Sequence, residues 1–108
     1  QVVTTVLELR NIVSEAELED KEELADVQDD VESEARSFGE FERCVIPAAG
    51  EPGAGSVWLK YRDKASAEKA FAALNGRKFD GRTVVAKYYD EGKFSRGIYT
   101  DPGKPAAP

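Results

Sequence analysis

The chain has 108 residues, of which 41% are hydrophobic, so it can bury one modest core but not two. No run approaches the roughly 18 consecutive apolar residues of a membrane span, and the first residues lack the basic and apolar regions of a signal peptide, so we expect a soluble, intracellular protein with no membrane contact. The chain contains no methionine, even at its start, so we expect it to be a domain cut from a longer protein. The net charge is −6, and the single cysteine, Cys44, excludes an internal disulfide and predicts a small buried side chain.

The first half of the chain predicts a strand, a helix and a second strand. Residues 2–9 are rich in β-branched side chains and predict the first strand. From 22 to 38, apolar residues recur every three or four positions, which predicts an amphipathic helix that ends at Gly39. Residues 41–46 predict a second short strand, and 47–55 form a loop dense in proline, glycine and alanine.

The next segment predicts a third strand and a second helix. Residues 56–61 predict the strand, and Asp63 can cap the helix that follows. The Asn75-Gly76 pair ends this helix, and residues 77–82 are expected to form a loop. The apolar face of the helix is formed by Ala67, Ala70, Phe71 and Leu74.

The C-terminal part predicts one more strand and a short helix. Residues 83–88 predict the fourth strand, and 90–94 predict a short helix or turn. Residues 100–108 contain three prolines and predict a flexible tail, which leaves 1–99 as the domain. The order of elements is that of an α+β, ferredoxin-like βαββαβ plait, in which a four-stranded antiparallel sheet carries two helices on one face.

Charge is concentrated in one stretch of the first helix and the residues before it. Residues 15–34 hold eleven acids and one base, a net charge of −10, which leaves +4 for the rest of the chain. Such a surface attracts lysine and arginine and repels phosphates. Asp26, Asp30 and Glu34 recur every four residues, so they share one helical face and repel each other by about a few tenths of a kcal/mol per pair. For any single acid, a solvated helix face is the alternative.

The strands lack the aromatic residues with which RNA recognition motifs, which share this element order, stack on bases. In the third strand Ala54 and Ser56 stand where that motif has its basic residue and its first aromatic. In the first strand Glu8 stands where an aromatic would meet a base, and its carboxylate would repel the phosphate chain. Trp58 is therefore expected to pack over the sheet against the C-terminal segment, on Phe94 or Tyr99.

The degenerate strand motifs, the acidic first helix and the sequence Gly76-Arg77-Lys78-Phe79 together resemble the U2 auxiliary factor homology motif, a variant of the RNA recognition motif that binds protein. The match covers residues 2–99. The resemblance implies that a ligand tryptophan enters a pocket between the helices and the Arg-x-Phe loop, beside Phe79. The implied residues are Phe79, Arg77 paired with Glu34, Val31 and Lys78 around the tryptophan, and Asp30, Asp26 and Glu23 against the ligand's basic residues.

The resemblance also implies a function and partners. The domain would be a protein-interaction module of a nuclear pre-mRNA splicing factor, a monomer that binds a basic, tryptophan-containing peptide during 3′ splice site recognition. Its partners would be the branch-point-binding protein or a component of the U2 snRNP, and the domain itself would not bind RNA directly. Two alternatives stay open: RNA binding through Lys60, Arg62, Lys78 and Lys87, and self-association through Trp58 or a tail residue.

Other classes of function lack the residues that they need. The chain has no histidine, and no carboxylate, lysine or tyrosine pair stands out by its spacing as an acid and a base, so we expect no enzyme. Gly50, Gly53 and Gly55 lack a Walker lysine, and the acidic stretch lacks the ligand spacing and central glycine of a calcium loop. We therefore expect no cofactor and no metal.

Overall fold

The computed structural model describes residues 2–99, in which an antiparallel sheet carries its two long helices on one face. The strands are β1 (Val6–Arg10), β2 (Phe41–Val45), β3 (Ser56–Tyr61), β4 (Lys78–Phe79), β5 (Arg82–Thr83) and β6 (Val85–Tyr89). The helices are α1 (Glu15–Glu19), α2 (Lys21–Arg36), α3 (Lys64–Leu74) and α4 (Glu91–Ser95). The main sheet has the order β2-β3-β1-β6, and β4 pairs with β5 in a separate hairpin. This arrangement confirms the predicted plait.

Alternation along the strands directs one set of side chains towards α2 and α3. Leu7 and Leu9 of β1 are fully buried in the core with Leu59 of β3. The predicted apolar stripe of the first helix is buried at Val27, Val31 and Ala35, and α3 buries Ala67, Ala70 and Leu74. Cys44 is also buried in this core, as predicted, and burial raises the pKa of its thiol to about 12.

The opposite face of the sheet is covered at one end by α4 and the residues after it. Trp58 of β3 is 1% exposed, and its ring centroid lies 5.6 Å from that of Tyr89 and 5.2 Å from that of Tyr99. Phe94 of α4 belongs to the same cluster. The Glu91 carboxylate accepts a hydrogen bond of 2.8 Å from the Thr5 N–H, which ties α4 to the start of the sheet. Trp58 is thus a packing residue, as predicted.

Two short elements are missing from the sequence prediction, and the predicted start of the first strand is wrong by four residues. Residues 15–19 form α1, and 78–83, expected to be a loop and the start of a strand, form the β4–β5 hairpin. The first strand begins at Val6 and not at residue 2, because its regular pairing with β3 and β6 starts there. Just before it, the Thr4 hydroxyl donates to the Tyr89 carbonyl at 2.6 Å, so a side chain replaces a ladder bond.

The predicted tail, residues 100–108, lies outside the described residues. Within residues 2–99 there is no helix with the length and apolar character needed to cross a membrane. The same range contains no group of three or more histidine, cysteine, aspartate or glutamate side chains placed to hold a metal ion.

Candidate functional site

A cavity of about 310 Å³ lies between α2, the end of α3 and the β4–β5 hairpin. Its apolar lining is formed by Leu9, Ile12, Val31, Leu74, Phe79 and Val84. Its polar lining is formed by Asp30, Ser33, Glu34 and Arg77. The volume is at the lower end of the roughly 300–1,000 Å³ of small-molecule sites, so the cavity suits one large side chain.

Arg77 and Glu34 form an ion pair at this cavity, joining the hairpin side to α2. Both side chains are nearly half exposed, at 48% and 44% of their surface. A pair this exposed contributes about 0–1 kcal/mol to stability, so its position matters more than its strength. The planar guanidinium of an arginine can stack on an aromatic ring, and Phe79 lines the same cavity. The arrangement offers two flat groups to a flat ligand.

The hairpin that carries Phe79 is set by its two-residue turn. Asp80 and Gly81 have φ values of +51° and +79°, the sign that a type I′ turn requires at both central positions. This turn suits the twist of a tight hairpin and brings Phe79 directly opposite Arg82. Phe79 is held half-buried, with part of its ring surface available to the cavity.

A second cavity, of about 390 Å³, adjoins the first and is acidic. It is lined by Glu17, Glu23, Asp26, Val27, Asp30, Phe79 and Asp80. Asp30 and Phe79 line both cavities, so an apolar site and an anionic site share a boundary. The Ser14 N–H donates to the Glu17 carboxylate at 2.9 Å and lowers the pKa of that carboxyl, which keeps it ionised.

The structure brings most of the predicted site residues to these two cavities. Phe79, Arg77, Glu34 and Val31 line the apolar cavity, and Glu23, Asp26 and Asp30 line the acidic one. Lys78 is the exception and lines neither of them. Lys78 precedes Phe79 in β4, and neighbouring side chains in a strand point to opposite sides. The Lys78 amine instead donates to the Thr83 hydroxyl at 2.9 Å. Its place beside the tryptophan therefore stays a prediction, without support from the cavity lining.

Sequence reasoning missed eight residues that line the cavities: Leu9, Ile12, Val27, Leu74, Val84, Ser33, Glu17 and Asp80. Glu17 carries a readable signal, because Ser14 and Glu17 form the capping box of α1. Asp80 carries one as well, since Asp-Gly between two extended segments favours a tight hairpin. The five apolar residues look like ordinary core positions, and their pattern does not reveal which of them border a cavity. Ser33 looks like an ordinary exposed position of α2.

The outer face of the sheet differs from a surface for stacking bases. Glu8 is 5% exposed and accepts hydrogen bonds from the Ser56 hydroxyl at 2.9 Å and from Arg10 Nε at 3.1 Å. Its pairing partner on β3 is the buried Trp58, and its partner on β6 is Lys87. A carboxylate thus occupies the middle of this face, and the neighbouring Trp58 ring is buried and unavailable for stacking on a base.

Three of the four cations suggested for RNA binding have local partners. Lys60 lies 3.2 Å from the Glu42 carboxylate, and Arg62 lies 2.8 Å from that of Glu40. Lys78 is held by a hydroxyl, as described above. Self-association through Trp58 is wrong for this fold, because that side chain is buried; a tail residue in the same role lies outside the described residues.

Comparison with known proteins matches residues 27–85 to the family described as RNA recognition motif. The chain is 46% identical over 103 residues to a splicing factor U2af large subunit of Arabidopsis thaliana and 44% identical over 103 residues to one of Nicotiana plumbaginifolia. Each match covers 91% of this chain and 18% of the relative, so the chain spans less than a fifth of their length. The resemblance to the U2 auxiliary factor is confirmed at this level.

Two further matches differ in kind. The serine/threonine-protein kinase Kist of Pongo abelii is 36% identical over 94 residues, which cover 87% of this chain and 22% of the kinase. Among solved structures, that of the RNA15 RRM has a TM-score of 0.61 and 19% identity, covering 87% of this chain and 99% of its own. At that identity the likeness shows the fold alone.

Proposed function

The chain belongs to the RNA recognition motif family, and from that premise we propose that this member binds a peptide instead of RNA. The peptide carries one tryptophan next to a run of lysines or arginines, and the parent protein acts in the nucleus, in recognition of the 3′ splice site. One observation carries the proposal: an apolar cavity and an acidic cavity meet at Phe79 and Asp30. The splicing-factor names of the relatives support the setting.

In this proposal the indole of the ligand enters the apolar cavity. It packs against the Phe79 ring and the Arg77 guanidinium, and Ser33 and Glu34, which also line the cavity, offer acceptors for its N–H. A tryptophan buries about 150–250 Å², worth roughly 4–6 kcal/mol at about 25 cal/mol per Å². Loss of translational, rotational and side-chain freedom on binding offsets part of this free energy. We therefore expect the tryptophan to contribute about 2–4 kcal/mol to the net free energy of binding.

The basic residues of the ligand lie along the acidic cavity. Asp26 and Asp30 are one turn apart on α2, and Glu23 precedes them by a further turn. Their mutual repulsion is relieved when a cationic side chain lies between them. Charges at such an exposed rim accelerate association and weaken with salt, so they contribute selectivity more than strength.

By family resemblance, the branch-point-binding protein and a component of the U2 snRNP are the first partners to test. RNA binding is the competing hypothesis, and the covered Trp58 and the buried Glu8 argue against it. Self-association through a tail residue is the third, and it predicts a concentration-dependent dimer in sedimentation. A mobility shift with oligopyrimidine RNA at physiological salt would favour the RNA hypothesis if binding were tight.

The deciding experiment is a calorimetric titration with a Lys/Arg-rich peptide that has one tryptophan, compared with its Trp-to-Ala version. We expect the alanine peptide to bind about 30-fold to 1,000-fold more weakly. Phe79→Ala should cause a similar loss with the tryptophan peptide. Phe71→Ala is the matched control, because Phe71 stacks on Tyr88 and lines neither cavity. Equal heats for both peptides, or none with either, would end the proposal.

A further inference from the structure

The hairpin that carries Phe79 is separate from the main sheet, so its ladder bonds do not set its position. Phe79 and Arg82 are cross-strand partners, and they form one of the two residue pairs in this hairpin. At the hairpin's open end, the Val84 N–H donates to the Arg77 carbonyl at 2.8 Å. Side chains hold the hairpin against the rest of the domain: the Asn11 side-chain amide donates to the Thr83 carbonyl at 2.9 Å, and Arg82 makes contacts beside Phe79.

Arg82 makes such a contact to Ile12, another residue that lines the apolar cavity. Its Nη2 donates to the Ile12 carbonyl at 2.9 Å, and Ile12 and Phe79 both line that cavity. The same nitrogen lies 3.6 Å from the Glu17 carboxylate of α1. One guanidinium thus joins the hairpin to the segment between β1 and α1 and to α1 itself. Arg82 is not among the residues that line either cavity.

Glu17 links this contact to the folding of α1. Its Oε1 accepts the Ser14 N–H in the capping box and is also the carboxylate oxygen that lies 3.6 Å from Arg82 Nη2. The helix N-terminus and the hairpin therefore depend on one carboxylate. The Nε of Arg82 is buried and has no hydrogen-bond partner among the described residues. A lysine in its place would lose no hydrogen bond at that atom and would keep a charged donor.

We infer that Arg82 is a positioning residue, which sets the spacing between Ile12 and Phe79 and so the selectivity of the cavity for tryptophan, without touching the peptide. Its effect on binding rests on the proposed function, but its effect on the hairpin does not. Loss of the guanidinium should loosen the Phe79 wall and leave the contacts to the basic run in place. The cavity then accepts an indole less well, while a peptide without tryptophan is little affected.

The first measurement needs no peptide. Amide hydrogen exchange is followed at Val84, which closes the hairpin, and at Tyr61, whose N–H donates to Thr5 in the core sheet and reports global opening. In Arg82→Gln the Val84 amide should exchange about tenfold faster relative to that of Tyr61. Arg82→Lys should lie close to wild type. Arg62→Gln is the control, because Arg62 is also ion-paired but lines neither cavity. It should leave the ratio of the Val84 and Tyr61 exchange rates unchanged.

The second measurement is the ratio of affinities for the tryptophan and alanine peptides. Partial unfolding would lower both affinities equally and leave the ratio unchanged. We expect Arg82→Gln to reduce the ratio about 3-fold to 10-fold, with recovery in Arg82→Lys. The inference is overturned if Val84 exchange in Arg82→Gln equals that of wild type. It is also overturned if wild type prefers the tryptophan peptide and Arg82→Gln keeps the same ratio of affinities. If wild type shows no preference for tryptophan, the proposed function fails, and hydrogen exchange alone decides the role of Arg82.

Discussion

Asp30 is the acidic residue that lines both cavities, so its charge should act on the whole peptide. Asp30→Lys replaces attraction for the ligand's cations by repulsion. Asp29 is its neighbour on α2, is exposed and lines neither cavity, so Asp29→Lys is a control with the same change in net charge, from −6 to −4. Any difference between the two variants reflects position and not total charge.

The two variants should lose different amounts of affinity, because Asp30 lines the cavities and Asp29 does not. Two unit charges about 4 Å apart in water interact by about 1 kcal/mol, so reversal of the sign costs about 2 kcal/mol. That corresponds to a loss in affinity of about 30-fold. Asp29 is exposed and lines neither cavity, so water and salt screen its charge from a ligand in the cavities more strongly. Asp29→Lys should therefore weaken binding by less than about 2-fold.

The assay is calorimetry with the basic tryptophan peptide at about 0.05 M and about 0.5 M salt. The gap between the two variants should narrow at the higher concentration, since the interaction is electrostatic and exposed. Equal losses in Asp30→Lys and Asp29→Lys would refute a defined contact and would indicate a diffuse field of the whole helix. A gap that salt does not change would indicate that the substitution damages the cavity itself.

Three further predictions concern the covered sheet face and the core. Gly53 and Gly50 share a φ of +85°, so alanine at either costs about 1–2 kcal/mol. Only at Gly53 would the new Cβ come within 2.7 Å of the Trp58 ring. Trp58 emission should therefore shift to the red in Gly53→Ala and less in Gly50→Ala, and equal shifts would argue against this packing. Tyr61→Phe removes a buried hydroxyl that donates to the end of α2, and urea denaturation should show a free energy of unfolding lower by about 1–2 kcal/mol. Because the pKa of Cys44 is raised to about 12, a thiol reagent at about pH 8 should label folded protein far more slowly than unfolded protein, and similar rates would contradict the burial.

Local patterns in the sequence predict much of this fold. The prediction for residues 56–61 matches β3 in full, and Asp63 caps α3, because strand alternation and helix caps act within a few residues. Helix α1 and the hairpin could have been predicted in the same way. The capping box at Ser14 and the Asp80-Gly81 turn are both local signals. The first of them lies at the start of the dense acidic stretch, where charge is the more obvious feature of the sequence.

The candidate site depends on contacts between residues far apart in the chain. Glu34 and Arg77 are separated by 43 residues and meet only because α2 and the segment after α3 pack on the same side of the sheet. Their pairing was predicted through a family resemblance and not through spacing. Arg82 had no such guide, since its partners are a backbone carbonyl and a distant helix. The spacing of residues within one helix or strand cannot predict contacts that one side chain makes to two distant parts of the chain.

The most direct test is to map where the basic tryptophan peptide binds, by nuclear magnetic resonance with the domain isotopically labelled. We predict that the peptide shifts the signals of Val31, Glu34 and Phe79, with contacts between indole protons and the Phe79 ring. Signals of Trp58 on the outer face of the sheet should not move. Shifts confined to that outer face, with Phe79 unaffected, would contradict a tryptophan site between the acidic helix and the hairpin.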